Sequence, residues 1–264
     1  VYTYSKAMAE DIVANRGLSA WSIFRPSIVE SSLDYPFPGW NEGFNTTGPI
    51  TYLMQNGLHH VPTSGAHPID LVPVDTVCRA MCAVAGELLD RVHVPVYQCG
   101  TSDLNPLSRK RSVELTALAH RRFHRQRDQS DWTRWITSRL DSRSVAAPPL
   151  EVSTVRQLLK RSAGWLRDHP APMMMGALGE IAQRLGRRLA QRARELEKIE
   201  SVLDTYRPFL IDGQYLFETT ALRRLPVAEA EFRFEPEKID WLAYFVDCHV
   251  PGLRRYCFPE YEGH

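Results

Sequence analysis

A chain of 264 residues with 44% hydrophobic and 24% charged residues has the composition of a globular protein and enough length for two small cores. Its net charge of +1 hides a local bias, because residues 105–200 hold 20 Lys/Arg against 10 Asp/Glu, leaving 12 against 21 elsewhere; an anionic partner suits that middle region. No apolar run approaches the ~20 residues of a membrane span, and five cysteines without a Cys-x-x-Cys pair exclude a disulfide framework or a zinc site in favour of reduced cytosolic thiols.

Tyr2-Thr-Tyr-Ser-Lys6 opens the chain and runs into Ala-Met-Ala-Glu-Asp-Ile-Val, a helical stretch. Spacing of four puts Tyr2 and Lys6 on one helix face. An ammonium beside a phenol favours the phenolate, so the pair has the makings of acid/base machinery for a carbonyl. The same spacing also occurs as plain decoration of helix surfaces. Gly17 supplies a stop signal, and Leu18 to Val29 predicts a short buried strand ending in a proline turn. Helix, strand and loop make one α/β crossover. Ligands of open α/β sheets sit outside the carboxyl ends of strands, which points to Arg25-Pro26-Ser27-Ile28-Val29.

Residues 48–57 predict a short helix, and Ile69 to Asp75 an extended entry to another, with Asp75 as N-cap. Val77, Ala80, Met81, Val84 and Leu88 recur at helical spacing, burying one face and leaving Arg79 and Glu87 wet. Cys78 and Cys82 read as small packing residues. Val94 to Gly100 predicts a last strand, and a boundary near Leu104 divides residues 1–104 from a mainly helical part, 105–264. In that second part Val145-Ala-Ala-Pro-Pro149 reads as a loop or polyproline segment. Leu178, Ile181, Leu185, Leu189, Leu196 and Leu203 trace one side of a long helix, with Arg184, Arg187, Arg188, Arg192 and Arg194 on the others. Such a helix is either a core face with solvated arginines or a contact for anionic lipid or phosphate. The methionines of Pro172-Met-Met-Met-Gly176 suit either an acyl cradle or adaptable packing. His120 and His124 have metal-ligand spacing, but Arg121, Arg122 and Arg125 disfavour a cation there, so no metal site is expected. His249 reads as structural.

Tyr2-x-x-x-Lys6 followed by a strand ending Arg-Pro-Ser-Ile-Val resembles the extended short-chain dehydrogenase/reductase superfamily. Ser31-Ser-Leu-Asp-Tyr-Pro36-Phe-Pro-Gly-Trp40 is similar to a signature of alcohol-forming fatty acyl-CoA reductases. Phe234-Glu-Pro-Glu-Lys-Ile-Asp240, His249-Val-Pro-Gly and Arg255-Tyr-Cys-Phe-Pro resemble the C-terminal domain of bacterial members. The resemblance implies an α/β fold: the C-terminal part of a Rossmann-like NAD(P)-binding domain, followed by the mainly helical domain. It implies NADPH-dependent reduction of fatty acyl-CoA to aldehyde and on to primary alcohol. Tyr2 and Lys6 are the implied catalytic residues, both also meeting cofactor. Pro26, Ser27, Ile28 and Val29 line the nicotinamide side, and Phe37, Pro38, Gly39 and Trp40 wall the substrate site. Neither metal nor nucleic acid is implied, and the expected location is cytoplasmic, with peripheral membrane contact as an alternative. No Gly-rich turn of the dinucleotide-binding kind occurs and Val1 is no natural start, so the chain is expected to be the C-terminal part of a longer enzyme. The rest would then hold most NADPH contacts and a Ser/Thr partner of Tyr2. Rival readings are a carrier-protein thioester reductase, a nucleotide-sugar epimerase or dehydrogenase, and a non-catalytic membrane-docking or interaction module.

Overall fold

The computed structural model describes residues 2–90, 94–126, 142–146, 152–168, 177–213 and 215–259. Its main elements, in chain order, are α1 (Tyr2–Asn15), β1 (Ile23–Pro26), β2 (Ile28–Glu30), α2 (Gly48–Gln55), β3 (His60–Pro62), β4 (Pro68–Ile69), β5 (Leu71–Pro73), α3 (Val74–Leu89), β6 (Val96–Cys99), β7 (Leu107–Ser108), α4 (Arg109–Gln126), β8 (Arg143–Val145), α5 (Val152–Asp168) and α6 (Ala177–Arg207). They fall into two compact units, one of Val1–His59, Gly65–Ser144 and Gln214–His264, the other of His60–Ser64 and Val145–Gly213. The mixture of helices and parallel strand pairs is that of an α/β protein.

In the first unit residues 23–30 form one extended segment that changes partner half way. β1 pairs parallel with β6, Ile23 opposite Val96 through Pro26 opposite Cys99, while β2 pairs parallel with β5, Ile28 opposite Leu71 through Glu30 opposite Pro73. At the change, Ser27 N–H donates to Cys99 O at 2.8 Å and Ile28 N–H to Asp70 O at 3.1 Å. β5 and β6 both run parallel to this segment, and α3 is the crossover that joins them. β5 is wholly buried. Its successive residues point to opposite faces, so Leu71 joins Leu107, Tyr244 and Val250 in one core, and Val72 joins Val77, Val84, Tyr97 and Phe234 in another. An unbroken Leu-Val-Pro run suits a strand covered on both sides. β1 departs from the buried strand the sequence predicts: Arg25 and Pro26 are exposed, because Arg25 turns outward to α1.

α3 begins two residues earlier than expected, with Pro73 at the N-cap position. Asp75 therefore lies inside the first turn and does not cap the helix. Its carboxylate instead accepts the backbone N–H groups of Leu33, Asp34 and Tyr35 at 2.9, 2.9 and 3.2 Å. A loop with three consecutive unpaired donors outcompetes the helix end for those oxygens. Val77, Ala80 and Val84 are buried as expected, but Met81 is exposed, and so are Cys78 and Cys82, which therefore pack nothing. Arg79 and Glu87, expected to be wet, are both half-buried, Arg79 standing 3.8 Å from the exposed Asp34.

Residues 241–259 are helical throughout, alternating α and π turns. Asp240 caps the start, accepting from Leu242 N at 2.8 Å and Ala243 N at 3.2 Å. Tyr244, Phe245, Val250 and Leu253 from this run are buried in the unit's cores. The run crosses the 31–47 loop with two glycines at the crossing point. A Cβ on Gly252 would lie 2.0 Å from Gly39 O, and one on Gly39, where φ is +81°, would lie 2.5 Å from Cys248 O.

In the second unit Arg156 pairs with Glu200 at 2.7 Å and Lys160 with Glu197 at 3.2 Å, so α5 and α6 are antiparallel. The long helix expected over 178–203 is present, with Arg184, Arg187, Arg188, Arg192 and Arg194 exposed on it and Leu189, Leu196 and Leu203 half-buried. Leu185, expected in the apolar stripe, is exposed. Met173, Met174 and Met175 lie outside the described residues.

The glycine crossing gives the fold's sharpest mutational test. Gly252→Ala should cost roughly 3 kcal/mol or more in urea unfolding, since backbone atoms must move apart. Gly86→Ala, in an exposed turn of α3 with nothing within 4 Å, should instead stabilise by about 0.5–1 kcal/mol. Equal effects of the two changes would contradict this packing.

Candidate active site

On α1 the residues Tyr2, Lys6 and Glu10 recur every fourth position and form one stripe. Lys6 Nζ lies 5.5 Å from the centroid of the Tyr2 ring. Two turns on, Glu10 receives both prongs of Arg25: Nε donates to Oε1 at 2.9 Å and Nη2 donates to Oε2. That hydrogen bond, and the guanidinium charge behind it, hold the Glu10 carboxyl below the usual carboxylate range. Arg25 belongs to β1, immediately before Pro26 and Ser27. The helix stripe carrying phenol and ammonium is thus tied to the strand at its carboxyl end.

The 23–30 segment offers a place for the nicotinamide end of a dinucleotide. Pro26 is exposed, Ile28 and Val29 are half-buried, and the Ser27 hydroxyl is a buried polar atom with no hydrogen-bond partner among the described residues. An orphaned hydroxyl at the point where the strand pairing changes fits a polar ligand group. A pyrophosphate is not provided for in the same way. The positive-φ glycines among the described residues are Gly17, Gly39, Gly43, Gly57 and Gly65, and none opens a Gly-rich turn leading from a strand directly into a helix.

Beyond β2 the loop closes on itself. Ser32 N–H donates to Trp40 O and Gly39 N–H to Ser32 O, both at 2.9 Å, and Ser32 Oγ donates to Phe37 O at 2.6 Å. Phe37 and Pro38 stand exposed at its tip, with the Phe37 ring 5.4 Å from that of Tyr256, while Trp40 is half-buried. Gly39 is buried against the terminal helical run. These four residues therefore share one tight loop, with two side chains at its tip. Pro26 to Val29 and the Tyr2–Lys6 stripe meet through Arg25.

Under the loop lies a buried polar cluster that the sequence reading missed. His249, fully buried, has a hydroxyl at each ring nitrogen: Ser31 Oγ 2.9 Å from Nδ1 and Thr47 Oγ1 3.0 Å from Nε2. One nitrogen donates and the other accepts, so a neutral ring is satisfied on both sides. Asn41 Nδ2 donates to Ser31 Oγ at 3.0 Å, and Tyr244, stacked on His249 with centroids 5.6 Å apart, donates its hydroxyl proton to Ser31 O at 2.7 Å. Glu30 completes the cluster, accepting Thr47 N–H at 3.0 Å and standing 3.9 Å from His249 Nε2. Burial pushes the Glu30 carboxyl up to about 7 and the His249 imidazole down to about 3, so the ring is neutral and Glu30 keeps its proton below about pH 7. The structural role expected of His249 is what its contacts describe. The one available signal for Glu30 was an acid placed directly after the apolar Ile-Val of the strand. His120, weighed as a metal ligand, instead pairs Nε2 with Thr51 O at 3.1 Å and Nδ1 with Arg254. Among the described residues no group of three His, Cys, Asp or Glu could hold a metal.

Comparison with known proteins gives the chain relatives. Residues 1–81 match the NAD-binding family described as Male sterility protein. The chain is 27% identical over 264 residues to an alcohol-forming fatty acyl-CoA reductase of Simmondsia chinensis, covering 96% of this chain and 51% of that protein. It is 25% identical over 265 residues to fatty acyl-CoA reductase 1 of Arabidopsis thaliana, covering the same shares, 96% and 51%. A stretch of 112 residues, 40% of this chain and 21% of the other, is 40% identical to fatty acyl-CoA reductase 1 of Gallus gallus. The chain thus spans about half the length of the plant relatives it matches.

The Glu30 carboxyl makes stability depend on pH with a definite sign. Its folded value, about 7, lies above the ordinary 4.5, so between those values the unfolded chain gives up a proton that the folded chain retains. Stability is full below about 4.5 and falls as pH rises through 7, by on the order of 3 kcal/mol. Glu30→Gln removes this dependence. Relative to the unaltered protein it should gain most of that amount between pH 5 and pH 8 in denaturant titrations, whereas a pH-independent difference would refute the buried neutral acid.

Proposed function

We propose, from the premise that this chain is a relative of the fatty acyl-CoA reductases, that it carries the proton-handling and substrate-facing part of an NADPH-dependent reduction of fatty acyl-CoA to fatty aldehyde and then primary alcohol. The observation that carries the proposal is the Tyr2–Lys6 stripe, fastened through Glu10 to Arg25 beside the orphaned Ser27 hydroxyl. NADPH, when bound, supplies the hydride in each reduction. Lys6 would hydrogen-bond the cofactor ribose and hold positive charge beside the phenol, and Pro26, Ser27, Ile28 and Val29 would flank the nicotinamide.

The thioester carbonyl carbon gains a hydride and its oxygen a proton from Tyr2, giving a hemithioacetal. That adduct breaks its C–S bond, releasing CoA thiol and leaving the aldehyde. A second hydride at carbon and a second proton at oxygen give the alcohol. Tyr2 acts at the oxygen both times, as donor or as a hydrogen bond to the developing oxyanion. Phe37, Pro38, Gly39 and Trp40 belong to the loop that walls the acyl or CoA site in this reading. No helix among the described residues is long and apolar enough to cross a membrane.

In the intact protein Tyr2→Phe keeps the ring and removes one hydroxyl, so NADPH affinity should survive while aldehyde reduction falls by the ~10²–10⁴-fold of a lost general acid. Lys6→Ala should damage both cofactor binding and turnover. NADPH consumed per acyl-CoA then sets the extent of reaction: two equivalents for an alcohol-forming enzyme, one for a reaction that stops at aldehyde. Wild-type rates for Tyr2→Phe on both acyl-CoA and aldehyde would remove the catalytic assignment.

A further inference from the structure

Glu30 ends β2 with its carboxyl sealed inside the protein. Its side chain has no exposure, and a group enclosed by its own neighbours stays enclosed whatever further chain packs outside them. Oε1 accepts Thr47 N–H at 3.0 Å. Oε2 has no hydrogen-bond partner among the described residues and stands 3.9 Å from His249 Nε2, which is already paired with Thr47 Oγ1. The groups around the carboxyl bring no positive charge to it. From the terminal helical run, His249 is neutral and Tyr244, its phenol pushed up by burial, keeps its proton; Asp75 of α3, which also acts on Tyr244, is an acid. Thr46 and Thr47 at the start of α2 and Pro73 opposite on β5 are uncharged. A proton on Glu30 therefore leaves the site neutral, whereas its loss leaves a buried anion with one bare oxygen, a costly state until a donor reaches it.

The start of α2 is the wall that can yield. Thr46 holds φ at +48°, an uncommon backbone for a β-branched residue. Thr47, at the N-cap position, makes no side-chain cap hydrogen bond, and its N–H is bonded to Glu30. Asn41 and Phe44 are held separately, one by Ser31 and the other against the rings of Tyr52 and Phe258, so residues 45–47 can move without undoing the rest of the loop. We propose that Glu30 is a pH-operated latch on the start of α2: protonated, it holds residues 45–47 closed over the end of β2, and once ionised it draws water to Oε2 and releases them. The latch does not depend on the reduction chemistry, so its failure and the failure of the catalytic reading are separate results.

The test is amide hydrogen exchange in the intact protein from pH 5 to pH 8, corrected for intrinsic rates, with Thr47 N–H as reporter and Val72, in the buried strand β5, as reference. The closed carboxyl titrates at about 7 and an ordinary one at 4.5, so opening becomes roughly tenfold easier per pH unit between those values and levels off above them. Thr47 protection should fall by roughly 100-fold from pH 5 to pH 7, and at each pH it should lie at least about tenfold below that of Val72, the mark of a local opening. Glu30→Gln should keep Thr47 protection flat across the range. Thr47 protection that is flat in the unaltered protein, or equal to that of Val72 at every pH, overturns the latch without recourse to any variant, and a pH slope that survives in Glu30→Gln assigns the opening to another group and overturns it as well.

Discussion

Two backbones cross at Gly39 and Gly252 with no Cβ between them, and the surroundings of the 31–47 loop follow from that approach. Because Gly252 presses on the Gly39 carbonyl and Gly39 on Cys248 O, the terminal helical run sits low enough on the loop for His249 to reach Ser31 and Thr47 from the neighbouring turn. Tyr244 is drawn in beneath Ser31, and Phe37 is set beside Tyr256. A single methyl group at the crossing would lift the helix from all of these at once. Close backbone approach therefore converts two small residues into the geometry of a polar cluster and of an exposed aromatic tip.

Two buried titratable groups anchor that cluster. The His249 ring is neutral with the hydroxyls of Ser31 and Thr47 at its two nitrogens, Asn41 and Tyr244 hold Ser31, and Glu30 accepts Thr47 N–H through Oε1 while its Oε2 has no hydrogen-bond partner among the described residues. Placing such groups beneath a loop is worth less in stability than an apolar core would be, and it specifies one arrangement more narrowly. The loop's tip residues, by contrast, are left in solvent. Rigid foundation and exposed tip suit a loop that meets a ligand.

Local pattern made part of this legible from the residues alone. Spacing of four placed Tyr2 and Lys6 together, local pattern gave helices within 48–57, after Asp75 and over 178–203, where the structure has 48–55, 74–89 and 177–207, and the apolar run after Val94 gave β6. What escaped was non-local. Asp75 carries every mark of an N-cap, yet donors some forty residues earlier take its oxygens. Met81 and Leu185 fit apolar stripes but find no cover, and Cys78 and Cys82 look like packing residues but face solvent. Glu30 and His249 are 219 positions apart, and no window along the chain contains both. Arg25 read as part of a strand end, and nothing local paired it with Glu10.

Strand β5 has an aspartate at each end, and their oxygens gather loops that leave neighbouring strands. Asp75 takes the N–H groups of residues 33–35, at sequence separations of 42, 41 and 40. Asp70 takes those of Thr101 and Ser102, at separations of 31 and 32. Each loop also has backbone hydrogen bonds of its own, Ser32 with Gly39 and Trp40 in one and Thr101 O with the N–H groups of Leu104 and Asn105 in the other, but both are fastened through an aspartate beside β5. Closing loops of that length costs entropy before any contact repays it. Both loops therefore hang on the same strand, and a displacement of β5 would loosen the two of them together.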